Sequence, residues 1–204
     1  LERKILGSDE EAQRLEAQLF SEITQILLRN IPVFQQIAES VAMLDTFLSF
    51  AEVARENKYS RPQILENGEL MIKDGRHPVV EAISRERFVP NDCALDEGEN
   101  RTMILTGPNM AGKSTYLRQV ALIVLMSHIG SFVPATDAKI PLCDRIFTRI
   151  GASDNLILDR STFMVEMTEV ATILRGATGR SLLILDEVGR GTSTYDGLSI
   201  AWAV

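Results

Sequence analysis

Cysteine is scarce: Cys93 and Cys143 are the only two in 204 residues, far apart and without ligand-like neighbours. That argues against a disulfide framework or a paired-cysteine zinc site, and leaves two reduced, packed thiols. No run of lysines and arginines occurs, and the net charge is −7. Neutralising DNA phosphates takes clustered cations, so no extensive direct DNA-binding face is expected in this segment. No apolar run approaches the length of a membrane span, and no signal peptide opens the chain. The expected compartment is therefore the cytosol, or the nucleus in a eukaryote. Nor is there an initiator Met, or a stop signal after the helical pattern at Leu198–Val204, so a piece of something longer is expected. What remains is ordinary: 45% hydrophobic and 24% charged residues, enough for one packed domain or a domain with a smaller attachment.

The segment Thr102 to Thr115, TMILTGPNMAGKST, organises the rest. Met103, Ile104 and Leu105 predict a short buried strand of a parallel sheet, apolar on both faces. It leads into Gly107-Pro108-Asn109-Met110-Ala111-Gly112-Lys113-Ser114, an uninterrupted G-x-x-x-x-G-K-[ST] phosphate loop. Helically spaced Leu117, Val120, Ala121, Val124 and Leu125 follow, predicting a helix to His128. Two glycines let the backbone turn tightly, so that successive N–H groups, with those of Thr115, converge on phosphate oxygens at a helix N-terminus. Lys113 would reach the β- and γ-phosphates, and the Ser114 hydroxyl would serve Mg²⁺. The pattern calls for a nucleoside triphosphate.

Upstream, Leu15, Leu19, Ile23, Ile26 and Leu27 recur at helical spacing, with Ser8 and Glu11 as a capping box at the start. Asn30-Ile31-Pro32 is expected to end that helix, because the residue before a proline avoids helical angles. A second helix then carries Ile37, Val41, Leu44, Leu48 and Ala51, so a helical pair is expected, folded back or sharply bent. From Ile64 to Gly98 short strands and loops are expected: Leu70–Lys73 as a strand, Asp74-Gly75 as a turn and His77–Glu81 as another short apolar piece. His77, a single histidine beside a proline, is assigned a structural role.

Downstream of a loop at Gly130 and Pro134, Arg145–Ile150 alternates like a strand, and Gly151–Arg160 reads as exposed loop. Ser161 and Thr162 suit the N-cap of a helix through Arg175, with Met164, Met167, Ala171 and Leu174 facing inward. Ser181-Leu-Leu-Ile-Leu-Asp186-Glu187 is a second buried strand ending in two carboxylates. A phosphate-loop enzyme places such an acid beside its Ser: Asp186 would hold Mg²⁺, and Glu187 would orient or deprotonate an attacking water. The acid pair favours hydrolysis over phosphoryl transfer to a metabolite.

Four segments together carry a family resemblance: Gly107–Tyr116, Asp144–Ala152, Ser161–Met167 and Leu185–Gly197. They resemble the MutS family of DNA mismatch repair ATPases, its bacterial members in particular. Gly75–Glu81 and Phe88–Asn91 look like the start of that family's ATPase domain. The resemblance is weak over the first helices and specific from Gly75 onward. It implies an α/β fold, a P-loop NTPase of the ABC-ATPase type with a mostly parallel central sheet. A helical lever segment at 1–60 would precede an ATPase domain at 61–204. Composite nucleotide sites would form across a homodimer, using ATP or ADP and Mg²⁺. One subunit would supply the phosphate loop, Asp186 and Glu187; the other would bring Ser161 and Thr162 to the γ-phosphate. Asn109 would position the attacking water or the γ-phosphate, and Phe88 would pack on the adenine. Gly191 to Asp196 would relay between the sites. In the parent protein, in the bacterial cytosol, nucleotide state would govern the grip on mismatched DNA held by domains absent here, with further mismatch repair proteins acting downstream.

The chain departs from the family pattern in two places. Leu156-Ile-Leu-Asp-Arg160 replaces the usual small residues before Ser161, and the sequence stops before the family's switch strand and dimerisation segment. Little or no ATPase activity is therefore expected of the chain by itself. A transporter or chromosome-maintenance motor of the same superfamily would want a Leu-Ser-Gly-Gly-Gln-like signature, where this chain has Arg160-Ser161-Thr162-Phe163. A scaffold that binds nucleotide without turnover is the non-enzymatic reading. Glu187 speaks against it.

Overall fold

The computed structural model describes residues 2–108, 110–150, 162–189 and 192–204. The chain divides into two units, Leu1–Phe50 and Ala51–Val204. The first lies within one helix, α1 (Glu2–Glu56), which holds Pro32 in its interior. The expected helical pair is therefore corrected to a continuous helix, and Ser8 stands inside it rather than at its cap. Pro32 removes the amide that would donate to the Leu28 carbonyl, yet the helix runs on through it, with the stronger helix formers Leu27, Leu28, Arg29, Gln35 and Gln36 within a turn on either side. Asn30 adds a rung of its own, its Nδ2 donating to the Ile26 carbonyl at 2.8 Å. The apolar side chains along α1, among them Leu19, Ile23, Leu44 and Leu48, are exposed.

In the second unit β1 (Gln63–Leu65), β2 (Leu70–Gly75), α2 (Pro78–Ile83) and β3 (Asn91–Leu95) precede the phosphate loop. After it come α3 (Lys113–His128), β4 (Asp137–Pro141), β5 (Ile146–Arg149), α4 (Thr162–Gly176), β6 (Leu182–Leu185) and α5 (Thr194–Ala203). The architecture is mixed α/β. One sheet has the order β1-β4-β2-β3, with β1 parallel to β4 and β2 antiparallel to both its neighbours. The other is the parallel pair β5-β6. Among the described residues a mostly parallel central sheet is thus replaced by a mixed four-stranded sheet and a two-stranded parallel one.

The core gathers Leu70, Ile72, Cys93, Ala138 and Ile140 from the mixed sheet against Val120, Ile123 and Val124 of α3. Met103, Ile104 and Leu105 do not form the expected buried strand: they have no regular structure and are exposed, Ile104 at 85%. Three apolar residues carry too little pattern to specify a register, and no strand pairs with them. The segment His77–Glu81 is helical instead of strand-like. Pro78 supplies a preset φ at the first helical position, and the His77 Nδ1 accepts a hydrogen bond from the Val80 amide at 3.2 Å. The inward face of α4 is also shifted from expectation. Glu166, Val170 and Ile173 are buried, while Met164 and Leu174 are half exposed or more. A carboxylate occupies the buried stripe, which disguised its phase.

Candidate active site

The phosphate loop ends where α3 begins. Gly112 takes the N-cap of α3 with φ +88°, in the left-handed region, where a side chain is disfavoured. The next residue, Lys113, folds its ammonium back over the loop, donating to the carbonyls of Gly107 at 2.7 Å and Pro108 at 2.8 Å. A cation thus sits on the loop that leads into a helix N-terminus, an arrangement suited to a polyanion. Gly107, Pro108, Met110 and Ala111 are exposed, and Thr115 is half-buried in the first turn of α3. Tyr116 fastens that turn to the sheet, its hydroxyl donating to the Asp92 carbonyl at 2.9 Å.

Ser114 reaches the second half of the site. Its Oγ donates to Asp186 Oδ2 at 2.5 Å, across 72 residues of sequence. Asp186 follows β6 directly, is only 8% exposed, and has its amide bound to the Arg149 carbonyl of β5 at 2.7 Å. The serine of the phosphate loop and Asp186 therefore meet. Glu187 is exposed, with φ +54°, left-handed for a residue that has a Cβ. A hydroxyl and a carboxylate in contact are hard oxygen donors of the kind Mg²⁺ takes. Among the described residues no group of three or more His, Cys, Asp or Glu side chains could hold a metal by itself. That fits an ion which shares its coordination with substrate phosphates and water rather than an all-protein cage.

Phe88 is half-buried in the loop between α2 and β3. Thr162 opens α4. The expectations for Asn109, Ser161 and Gly191 lie outside the described residues. His77 is buried and spends its ring on the cap of α2, a structural task.

Two residues near the acid pair carried no expectation. Glu166, 3% exposed, accepts from the Gly189 amide through Oε1 at 2.5 Å, and its Oε2 lies 3.7 Å from Arg149 Nη2. Arg149 also pairs with Glu169, Nε to Oε2 at 3.4 Å. A glutamate flanked by Val165 and Met167 in an otherwise apolar stripe was the available signal.

The family model for MutS domain V matches residues 103–204. The chain belongs to the MutS family. Relatives called DNA mismatch repair protein MutS, from Clostridioides difficile, Clostridium novyi and Acetivibrio thermocellus, are each 58% identical to it over its full length. The chain spans 22%, 23% and 24% of those relatives. The similarity to these relatives thus extends over the N-terminal half as well as over the segment that the domain model covers. Among the described residues no helix is long and apolar enough to cross a membrane.

Proposed function

We propose that this chain is the ATP-binding and ATP-hydrolysing motor part of a MutS-type mismatch repair protein. The observation that carries the proposal is the contact between Ser114 and Asp186, which joins a G-x-x-x-x-G-K-S loop to a strand-end acid pair. In this reading Lys113 gives up its loop carbonyls to bind the β- and γ-phosphates, and the loop amides from Gly107 to Thr115 hold their oxygens. Ser114 and Asp186 hold Mg²⁺, which when bound neutralises charge on the phosphates. Glu187 orients a water toward the γ-phosphorus and takes its proton as the bond to the β,γ-bridging oxygen breaks. Phe88 packs on the adenine. Asn109 steadies the water or the γ-phosphate.

The finer fold assignment, a P-loop NTPase of the ABC-ATPase type, rests on the same motifs and on family membership. So does the division into a helical lever at 1–60 and an ATPase domain at 61–204. In the full-length protein two copies would pair, the Ser161-Thr162 segment of one facing the phosphate loop of the other. Nucleotide state would then set the grip on mismatched DNA and the recruitment of downstream repair proteins, in the cytosol. The chain by itself is expected to turn over little ATP, because its site lacks the partner's contribution.

The test is steady-state phosphate release by the full-length protein. Lys113→Ala and Glu187→Ala should each abolish turnover, Lys113→Ala by weakening nucleotide binding and Glu187→Ala without doing so. Unimpaired hydrolysis in both would overturn the assignment.

A further inference from the structure

We propose that Glu166 is a positioning residue for hydrolysis: its buried carboxylate fixes the backbone of the 186–189 turn and thereby aims the side chain of Glu187. The proposal rests on the ATPase reading above.

The turn is held at both ends by the same pair of residues, by the main chain of Arg149 and by the side chain of Glu166. At its start the Asp186 amide donates to the main-chain carbonyl of Arg149 at 2.7 Å. At its end the Gly189 amide donates to Glu166 Oε1 at 2.5 Å. Arg149 and Glu166 are themselves joined as an ion pair, Nη2 to Oε2 at 3.7 Å. The result is a closed circuit running from Arg149 to Asp186, through Glu187 and Val188 to Gly189, then through Glu166 back to Arg149. Glu187 sits inside that circuit with φ +54°. A residue with a Cβ keeps a left-handed backbone only where its surroundings over-determine it. Here both flanks of Glu187 are tied to α4 and β5.

A carboxylate at 3% exposure is a poor choice if only stability is at stake, since an apolar side chain in the same stripe of α4 would avoid desolvation. Its tightest contact is also not the cation. At 3.7 Å the Arg149 guanidinium is loosely placed, whereas the Gly189 amide is held at 2.5 Å by a charge-assisted bond. The group is therefore directed at the turn. Its counter-ion keeps the buried charge tolerable.

The experiment separates reach from charge in the full-length protein. Glu166→Gln keeps an oxygen at the right distance and loses the charge; Glu166→Asp keeps the charge and is one methylene short of Gly189. The proposal expects Glu166→Gln to stay within about threefold of wild-type kcat, and Glu166→Asp to fall roughly 10- to 100-fold, the size set by losing one such bond. In both, KM for ATP and the affinity for a fluorescent ADP analogue should stay unchanged, which also reports that the variants are folded. The opposite order, with Glu166→Asp active and Glu166→Gln impaired, would identify a structural ion pair and overturn the proposal. Equal activity in both would overturn it too. Lys113→Ala and Glu187→Ala measured alongside keep the two claims apart: if those retain turnover, the ATPase reading fails, whereas if they lose it and Glu166→Asp does not, only the positioning role fails.

Discussion

Gly189 and Gly197 meet backbone to backbone. A methyl on Gly189 would come within 2.8 Å of the Gly197 carbonyl oxygen, and one on Gly197 within 2.6 Å of the Gly189 oxygen. Gly189 also has φ +84°. Neither obstacle is the end of a flexible side chain, so relief requires α5 or the turn after Glu187 to move.

Gly197→Ala should accordingly destabilise the protein by about 1–3 kcal/mol and lower ATP turnover with it. Urea unfolding and phosphate release on the same preparation check this. A variant with wild-type midpoint and wild-type rate would show that the two backbones are not in contact.

Ser114→Ala removes the donor to Asp186 and one oxygen from the proposed ion site. Asp186 is buried, so it loses a partner that water replaces poorly. The Mg²⁺ concentration giving half-maximal turnover should rise roughly tenfold or more, by the energy of one such bond. An unchanged Mg²⁺ dependence would place the ion elsewhere.

His77 supplies a pH dependence whose sign follows from its cap. Burial, and secondarily the charge of Arg118, hold its pKa below the ordinary histidine value of 6.5, against a backbone hydrogen bond that raises it. The folded state thus favours the neutral ring, whose Nδ1 accepts from Val80. Above 6.5 both states are neutral and the contribution is complete; as pH falls below 6.5 the unfolded chain gains a proton that the folded one resists, and stability declines. His77→Asn, which retains a capping side chain, should flatten the stability profile below pH 6.5. Identical slopes for the two proteins would remove His77 as the cause.

Arg76 ties α2 to the end of α1: its Nη1 pairs with Glu81 at 2.7 Å, and its Nη2 donates to the carbonyls of Asn57 and Lys58 at 3.2 and 3.1 Å. A lysine has no planar fork with which to serve all three. Arg76→Lys should therefore cost about 1 kcal/mol or more in stability. In hydrogen exchange it should speed exchange at Asn57 and Tyr59, whose amides close the helix end onto Val53 and Ala54. Slow exchange retained at both amides would refute the clasp.

Much of the candidate site was legible because its chemistry is local. The spacing of Gly107, Gly112, Lys113 and Ser114 and the strand-end acids at 186 and 187 stand in the sequence, and β6 announced itself as a run of Leu and Ile between turn residues. What escaped was set by tertiary partners. The alternation of Ala138 and Ile140 in β4 was lost among neighbouring Thr, Asp and Pro, yet both are fully buried. The helix α2 depends on one histidine cap that a six-residue pattern cannot reveal. Glu166 and Arg149 become meaningful only when β5, α4 and the turn at Gly189 are brought together. Pro32 and the run Met103–Leu105 misled for the converse reason: a local breaker was outvoted by its flanks, and a local strand former found no partner.

Pro32 leaves a mechanical signature. With one amide missing from the ladder, bending of α1 within its first unit concentrates around Leu28 to Pro32, where fewer bonds resist the curvature. The helix has a built-in compliant joint, and replacing Pro32 with alanine would turn it into a uniform spring.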